Sequence, residues 1–258
     1  MAEITPFAAL RFTQNAGPPS GYCCPPYNAV PGGGQALLYA ISPYNAVRLE
    51  FPRDENPYAE AAAAMAAWRR EDVLQQDTAP AFFFYRRACR FSCKQTESVD
   101  GLFACVGIGD GITSSREVLP ATVQDRYQML EVMPCDVAPL HFLYRDEDGV
   151  TAARLVSCVS SKPLYSFDLY HVTHTVWRLD DPALMESLRV DFFDRTLAAA
   201  DACRYEAVLR HRRANPGLTG RCLALLTDGA QPGLQTFPPH GTIHRTHPLT
   251  GLVMHDLC

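Results

Sequence analysis

The sequence lacks several features that would fix its class at once. No stretch approaches the roughly 18 apolar residues of a membrane span. The opening MAEITPFAAL has no basic segment leading into an apolar one, so neither a membrane anchor nor a secretory leader is expected, and the cytoplasm is the expected compartment. Basic runs are scarce: only Arg210 to Arg213 qualifies, and His211 interrupts it. With 23 Lys+Arg against 28 Asp+Glu and a net charge of -5, a counterion-releasing surface for nucleic acid is not expected, and the run reads as a solvated helix face. There is no C-x-x-C. Cys23 and Cys24 are adjacent and Cys89-x-x-x-Cys93 has the wrong spacing, so the 10 cysteines fit thiols in a reducing compartment better than a zinc knuckle or a disulfide framework. Gly32-Gly33-Gly34 lacks the G-x-x-x-x-G-K-[ST] pattern of a phosphate loop.

What is present is ordinary globular composition, 47% hydrophobic and 20% charged, in a chain of 258 residues. That length suits one large domain or two small ones. The Pro- and Gly-rich first 35 residues read as loop with one short strand near Ala8 to Phe12. Ala46 to Phe51 reads as a strand closed by Pro52, and alanine-rich Tyr58 to Glu71 as a helix with Met65 and Trp68 on one side. Ala81 to Arg87 and Leu102 to Ile108 read as paired strands joined by a turn-like KQTESVDG. Further along come a helix at Val123 to Val132, strands at Leu140 to Tyr144 and Thr173 to Leu179, a helix opened by Asp180-Asp181-Pro182, a helix from Asp201 to Arg213, and a buried strand at Cys222 to Leu226. The tail after Gln231 reads as loop and edge. A mixed α/β fold is expected, as a single unit over 1–258 with a subdomain division near 115–150.

Four segments pair polar side chains with site-building backbone. Pro25-Pro26-Tyr27-Asn28 is a rigid loop presenting an aromatic ring and the amide of Asn28. In SPYNAVR, Asn45 and Arg48 stand at a strand entrance, where Arg48 suits either a bidentate anion contact or a structural ion pair. Asp125-Arg126 lies near a helix start, where N–H groups and a guanidinium can hold an anion, or the Asp can simply cap. In ADACRYEA, Asp201 can cap a helix or act as a base, and Arg204 falls one turn along, with Cys203 a candidate thiolate beside it. The late histidines His240, His244, His247 and His255 are interspersed with prolines, and His171-x-x-His174 precedes a strand, so no metal is assigned to them.

In order along the chain these blocks resemble the family catalogued as domain of unknown function 1015. PFAALR resembles its P-F-K-A-L-R opening, and CCPPYNAV its A-P-P-Y-D-V-V loop, with Asn28 in place of the aspartate. SPYNAVRLE is very close to N-P-Y-N-F-I-R-L-E. Trp68 with Val73 to Asp77, then AFFFYRR, Asp125-Arg126, FLYRD, THTVWRLDDP and LQTFPPHGTI follow collinearly from Pro6 to about Ile243. The resemblance implies a ParB/sulfiredoxin-like arrangement of mixed sheets with flanking helices and a cytoplasmic protein. It also implies phosphotransfer from ATP or pyrophosphate, with Mg²⁺, to free L-serine or a similar hydroxylated metabolite. In that scheme Asp201 is base or metal contact, His240 a second acid or base, and Arg204 and Arg126 phosphate clamps, with Asp125, Arg48, Asn45 and Asn28 completing the binding set.

The departures fall on the signature positions. The family's A-D-G-H-H-R-Y is reduced to ADACRY, with both histidines gone. Its H-E-x-T stretch is absent between Leu119 and Asp125, and Gly241 replaces the arginine after His240. Losing several transition-state contacts in one site removes most of a rate advantage. Two functions are therefore expected in competition: a divergent, weakened phosphotransferase, or a catalytically degenerate paralogue that binds a ligand or regulates.

Overall fold

A computed structural model of the chain describes residues 3–30, 32–92, 95–109, 111–114, 117–133, 135–169, 171–218 and 220–234. Its strands in chain order are β1 (Ile4–Thr5), β2 (Leu10–Phe12), β3 (Leu74–Gln76), β4 (Phe82–Ser92), β5 (Gln95–Gly107), β6 (Ile112–Thr113), β7 (Leu140–Tyr144), β8 (Tyr165–Leu169), β9 (Val172–Leu179), β10 (Leu197–Ala199) and β11 (Arg221–Asp228). Nine of them form one sheet in the order β6-β10-β7-β11-β5-β4-β9-β8, with β1 added along β5, while β2 and β3 pair separately. β10 runs parallel to β6 and β11 parallel to β7, and the long β4–β5 ladder at the centre is antiparallel. The fold is therefore mixed α/β. Strands from before and after residues 115–150 share this sheet.

Alternation explains why the sheet holds two separate cores. Along β4, Phe82 and Phe84 face one side, where they meet Leu102, Phe142, Trp177 and Leu226. Phe83 and Tyr85 face the other, with Phe103, Val176 and Leu225. At about 1.5–3 kcal/mol per fully buried large apolar side chain, each face contributes strongly to stability.

The helices are α1 (Pro19–Tyr22), α2 (Gly34–Ile41), α3 (Val47–Glu50), α4 (Pro57–Arg70), α5 (Pro120–Val132), α6 (Val150–Ser157), α7 (Pro182–Phe193) and α8 (Ala202–Ala214). Three of them start on the side chains that favour a start: Asn56 accepts from Ala59 N, Asp181 from Leu184 N and Asp201 from Arg204 N. α7 and α8 cover the Phe84 face of the sheet through Leu188, Phe192, Tyr205 and Val208. A third cluster, built on Trp68, Met65, Phe12 and Tyr22, fastens α4 to the first 50 residues.

Several expectations need correction. VRLE is not a strand but the helical turn α3, because Asn45 Oδ1 accepts from Val47 N at 3.1 Å and the amides of Leu49 and Glu50 bond back to Ala46 O. That local hydrogen bonding outweighs the strand propensity of so short a run. KQTESVDG is largely strand, its Thr96, Ser98 and Val99 pairing against β4. Helices α1 and α2 lie inside or at the edge of the segment read as loop. His171 precedes β9, while His174 lies inside it, within the strand expected at Thr173 to Leu179, and is buried with Tyr85 Oη 2.8 Å from its Nδ1. The basic run is only partly solvated: His211 is buried beside Glu131 at 3.3 Å, and Arg212 pairs with Asp136 at 3.1 Å. Of the tail read as loop, Pro232 to Leu234 form a turn closed by Leu234 N–H on Gln231 O, and the rest, with its histidines, lies outside the described residues.

His141 on β7 gives the fold a pH signature. Its Nε2 lies 3.2 Å from Thr227 Oγ1, and burial, followed by the charge of Arg87, pushes its pKa down to about 3. The folded-state value lies below the ordinary 6.5, so the unfolded chain takes up the proton first as pH falls. Stability is complete above about pH 6.5 and is lost as pH falls toward 3. Between pH 7 and pH 5 this group removes on the order of 2 kcal/mol. Urea midpoints at the two pH values should differ less for His141→Asn than for the wild type, and equal differences would contradict the assignment.

Candidate functional site

α5 and α8 pack side by side, and α4 contacts both α5 and α3. This arrangement directs three side chains to one point. Glu50 ends α3 and is 3% exposed. Arg204, in the first turn of α8, donates from Nη2 to Glu50 Oε1. Arg126, in the second turn of α5, donates from Nη1 to the backbone O of Glu50 at 2.9 Å and lies 3.8 Å from Oε1. Both arginines are buried. A carboxylate between two guanidiniums compensates charges whose desolvation costs several kcal/mol per ion.

Two more carboxylates flank this centre. Asp125 Oδ2 accepts from Arg126 Nε at 2.9 Å, and its Oδ1 accepts from Tyr58 Oη at 2.9 Å. Asp201 caps α8, its Oδ1 accepting from Arg204 N at 3.0 Å, and its Oδ2 lies 3.8 Å from Arg204 Nε. Two guanidiniums thus face three carboxylates, so the cluster has no surplus positive charge. Tyr27 closes it. Its ring carries Arg126 at 4.3 Å and Arg204 at 5.3 Å, in cation–π range, and its N–H is 3.5 Å from Glu50 Oε1. Burial above all, reinforced by the charge of Asp201, raises the Tyr27 phenol well above the ordinary range, so it stays a neutral donor.

Of the residues singled out in the sequence, Asp125, Arg126, Asp201 and Arg204 come together here. Asp125 and Arg126 stand in the second turn of α5, not at its start, so no helix-start N–H groups join them. Asn28 is exposed on the short turn Tyr27–Ala29 beside Tyr27. Asn45 is fully buried and acts as scaffold, its Nδ2 donating to the carbonyls of Gly21 at 2.8 Å and Cys23 at 3.1 Å. Arg48 does not point into the cluster. It stacks on Tyr39 at 4.1 Å, donates to Tyr39 O at 3.3 Å and lies 3.9 Å from Glu60. His240 lies outside the described residues. Cys203 is half-buried, its Sγ accepting from Leu119 N at 3.3 Å.

Glu50 escaped the sequence reading, and Tyr27 was named there only as the aromatic ring of its loop. Reading VRLE as a strand hid where the glutamate points. The signal was available all the same, since two buried arginines require a carboxylate and SPYNAVRLE ends on one. The donor set leaves few open oxygens for Mg²⁺. The ion needs unclaimed oxygens in near-octahedral geometry, whereas both oxygens of Asp125, Oε1 of Glu50 and Oδ1 of Asp201 already accept hydrogen bonds. Among the described residues no group of three or more His, Cys, Asp and Glu side chains is placed to hold a metal.

Glu50→Ala leaves two buried cations without their carboxylate and should cost about 3–5 kcal/mol in urea unfolding. The triple variant Glu50→Leu, Arg126→Met, Arg204→Met, which removes all three charges, should recover most of that loss. A Glu50→Ala cost below about 1 kcal/mol, the level of an exposed pair, would contradict the buried arrangement.

No curated protein and no solved structure matches the chain. A family model does, over residues 4–253, nearly the whole length, a range that includes Glu50, Arg126 and Arg204. By that match the chain belongs to the family described as protein of unknown function (DUF1015).

Proposed function

We propose that the chain is a small-molecule-binding protein that takes L-serine or a similar hydroxylated metabolite at the Tyr27–Arg126–Arg204 cluster, with phosphotransfer weakened or lost. The observation that carries this reading is charge balance. Both guanidiniums are already held by carboxylates of the chain itself. A polyphosphate of ATP or pyrophosphate brought here would place several negative charges beside Glu50, Asp125 and Asp201 with no unpaired cation to offset them. An amino acid, a zwitterion that brings no net charge, is a better match than a polyphosphate. Its ammonium suits the partly exposed carboxylates of Asp125 and Asp201, and its hydroxyl can pair with the neutral Tyr27 phenol.

A phosphotransferase would still find some of its parts here. Asp201 stands at a helix start next to Arg204, where a carboxylate can take a hydroxyl proton. With the histidine pair and the His-Glu stretch missing from the sequence, this reading ranks second. A cytoplasmic setting and a frame akin to the ParB/sulfiredoxin group belong to the same proposal. It is supported by the absence of disulfides among the eight cysteines of the described residues and by the lack, among those residues, of any helix long and apolar enough to cross a membrane.

Thermal unfolding with L-serine, phosphoserine, Mg·ATP and pyrophosphate separates the two readings, because a ligand selective for the folded state raises its stability. L-serine should raise the Tm in a saturable way while phosphoserine formation stays at background. Phosphoserine formed at a rate that depends on the phosphate donor and is abolished by Asp201→Asn would establish the phosphotransferase instead. No shift with L-serine together with no turnover would remove both.

A further inference from the structure

Phe83, Phe103 and Val176, on the face of the sheet away from α8, do not close completely onto the cluster built around Trp68. Between them lies a cavity of about 370 Å³, walled on one side by those three residues and on the other by Phe12, Tyr22 and Cys23. Protein interiors pack almost as tightly as organic crystals, so a gap of this size between two cores forfeits many contacts that a ligand would restore. Its volume falls within the range of sites that enclose most of a small molecule. Tyr27, Glu50, Arg126 and Arg204 take no part in its walls.

The charges in the lining do not balance. Arg11 is in the lining, but Asp77 Oδ1 accepts from its Nε at 2.8 Å and Tyr165 Oη from its Nη1 at 2.8 Å. Asp136 is there too, held by Arg212 Nη2 at 3.1 Å and by the N–H of Leu223 at 2.9 Å. Cys105 and Cys135 stay neutral thiols, because burial, reinforced by the charge of Asp136, pushes each up to about 11. Arg69, in the last turn of α4, is the remaining charged residue of the lining, and it has no ion-pair partner among the described residues. Its side chain is open to solvent, so a ligand entering from outside can reach the guanidinium. The acid of the cavity is thus already matched, and one base is left over at the edge of an apolar space.

We propose that this cavity is a second ligand site, for a small apolar monocarboxylate whose hydrocarbon body lies among Phe83, Phe103 and Val176 and whose carboxylate pairs with Arg69. Withdrawal of the body from water supplies most of the affinity, in proportion to the apolar area covered. The planar fork of Arg69 matches a carboxylate and gains no charge pairing from a neutral amide of the same shape, so the head group is selected by charge. Asp136, in the same lining, disfavours a second negative charge on the ligand. The cavity shares no residue with the Glu50 cluster, so this proposal does not depend on the serine-binding reading.

Titration of the full chain with 3-phenylpropanoate and with its isosteric amide, followed by saturation-transfer NMR, tests it. The carboxylate should bind about fivefold more tightly than the amide, the effect expected of one solvent-exposed ion pair, and the preference should shrink as salt rises. Arg69→Gln, at an exposed helix position, should keep the fold and bring the two affinities together. Cys105→Phe, which fills the cavity, should abolish binding of both compounds while circular dichroism stays that of the wild type. Should Cys105→Phe fail to fold, the wild-type preference and Arg69→Gln decide the matter. Equal affinities in the wild type, a preference that persists in Arg69→Gln, binding that survives in folded Cys105→Phe, or no binding of either compound would each overturn the proposal.

Discussion

Glu50 is the residue on which the arrangement of this molecule turns. It stands almost out of reach of water between Arg126 of α5 and Arg204 of α8, and it also meets the N–H of Tyr27. Through it one short helical turn, two longer helices and the proline-rich loop are held in a single geometry. Apolar packing gives the sheet most of its stability, but packing alone does not specify which way α5 and α8 face. A buried charge triad is a demanding constraint, since any displacement leaves an ion unpaired in a poorly polarisable interior. Asn45, fully buried beneath the loop, fixes the turn that presents Glu50.

The same constraint shapes the chemistry of the site. An arginine that binds phosphate has to keep part of its fork available. Here Glu50, Asp125 and the Tyr27 ring claim the Arg126 and Arg204 forks before any ligand arrives. Asp201 spends one oxygen on the start of α8. The resemblance read from the sequence implies a histidine pair at this helix start, where the chain has Ala202 and Cys203. The residues that hold the helices together are in place, and Asp201 is the carboxylate that stands at this helix start. Family membership speaks to the frame, and the function of the site rests on its own charges.

Most of the frame was legible in the sequence. AFFFYRR and LFACVGI announced the central hairpin because aromatic and β-branched residues alternated between two covered faces, and LHFLY matched β7 from end to end. Asp181-Pro182 and Asp201 marked helix starts by the chemistry of capping. The errors came where local and distant forces compete. VRLE has strand propensity, but the side chain of Asn45 turned it into a helix, and with that the direction of Glu50 was lost. Arg48 and Arg126 looked alike as sequence, each a candidate anion contact. Only the fold sends one to stack on Tyr39 and the other to Glu50. Charge pairing between residues 76 or more positions apart leaves no periodic trace, so the triad could be inferred only from the rule that a buried arginine needs an anion.

If Glu50 is what keeps Arg126 and Arg204 from holding phosphate, its neutralisation should release them. Calorimetric titration of pyrophosphate into the wild type and into Glu50→Gln, a variant of nearly the same shape, measures this most directly. The wild type should show no binding and Glu50→Gln should gain it, with affinity falling as salt rises. Tight pyrophosphate binding by the wild type, unimproved in Glu50→Gln, would contradict the charge balance on which the functional reading depends.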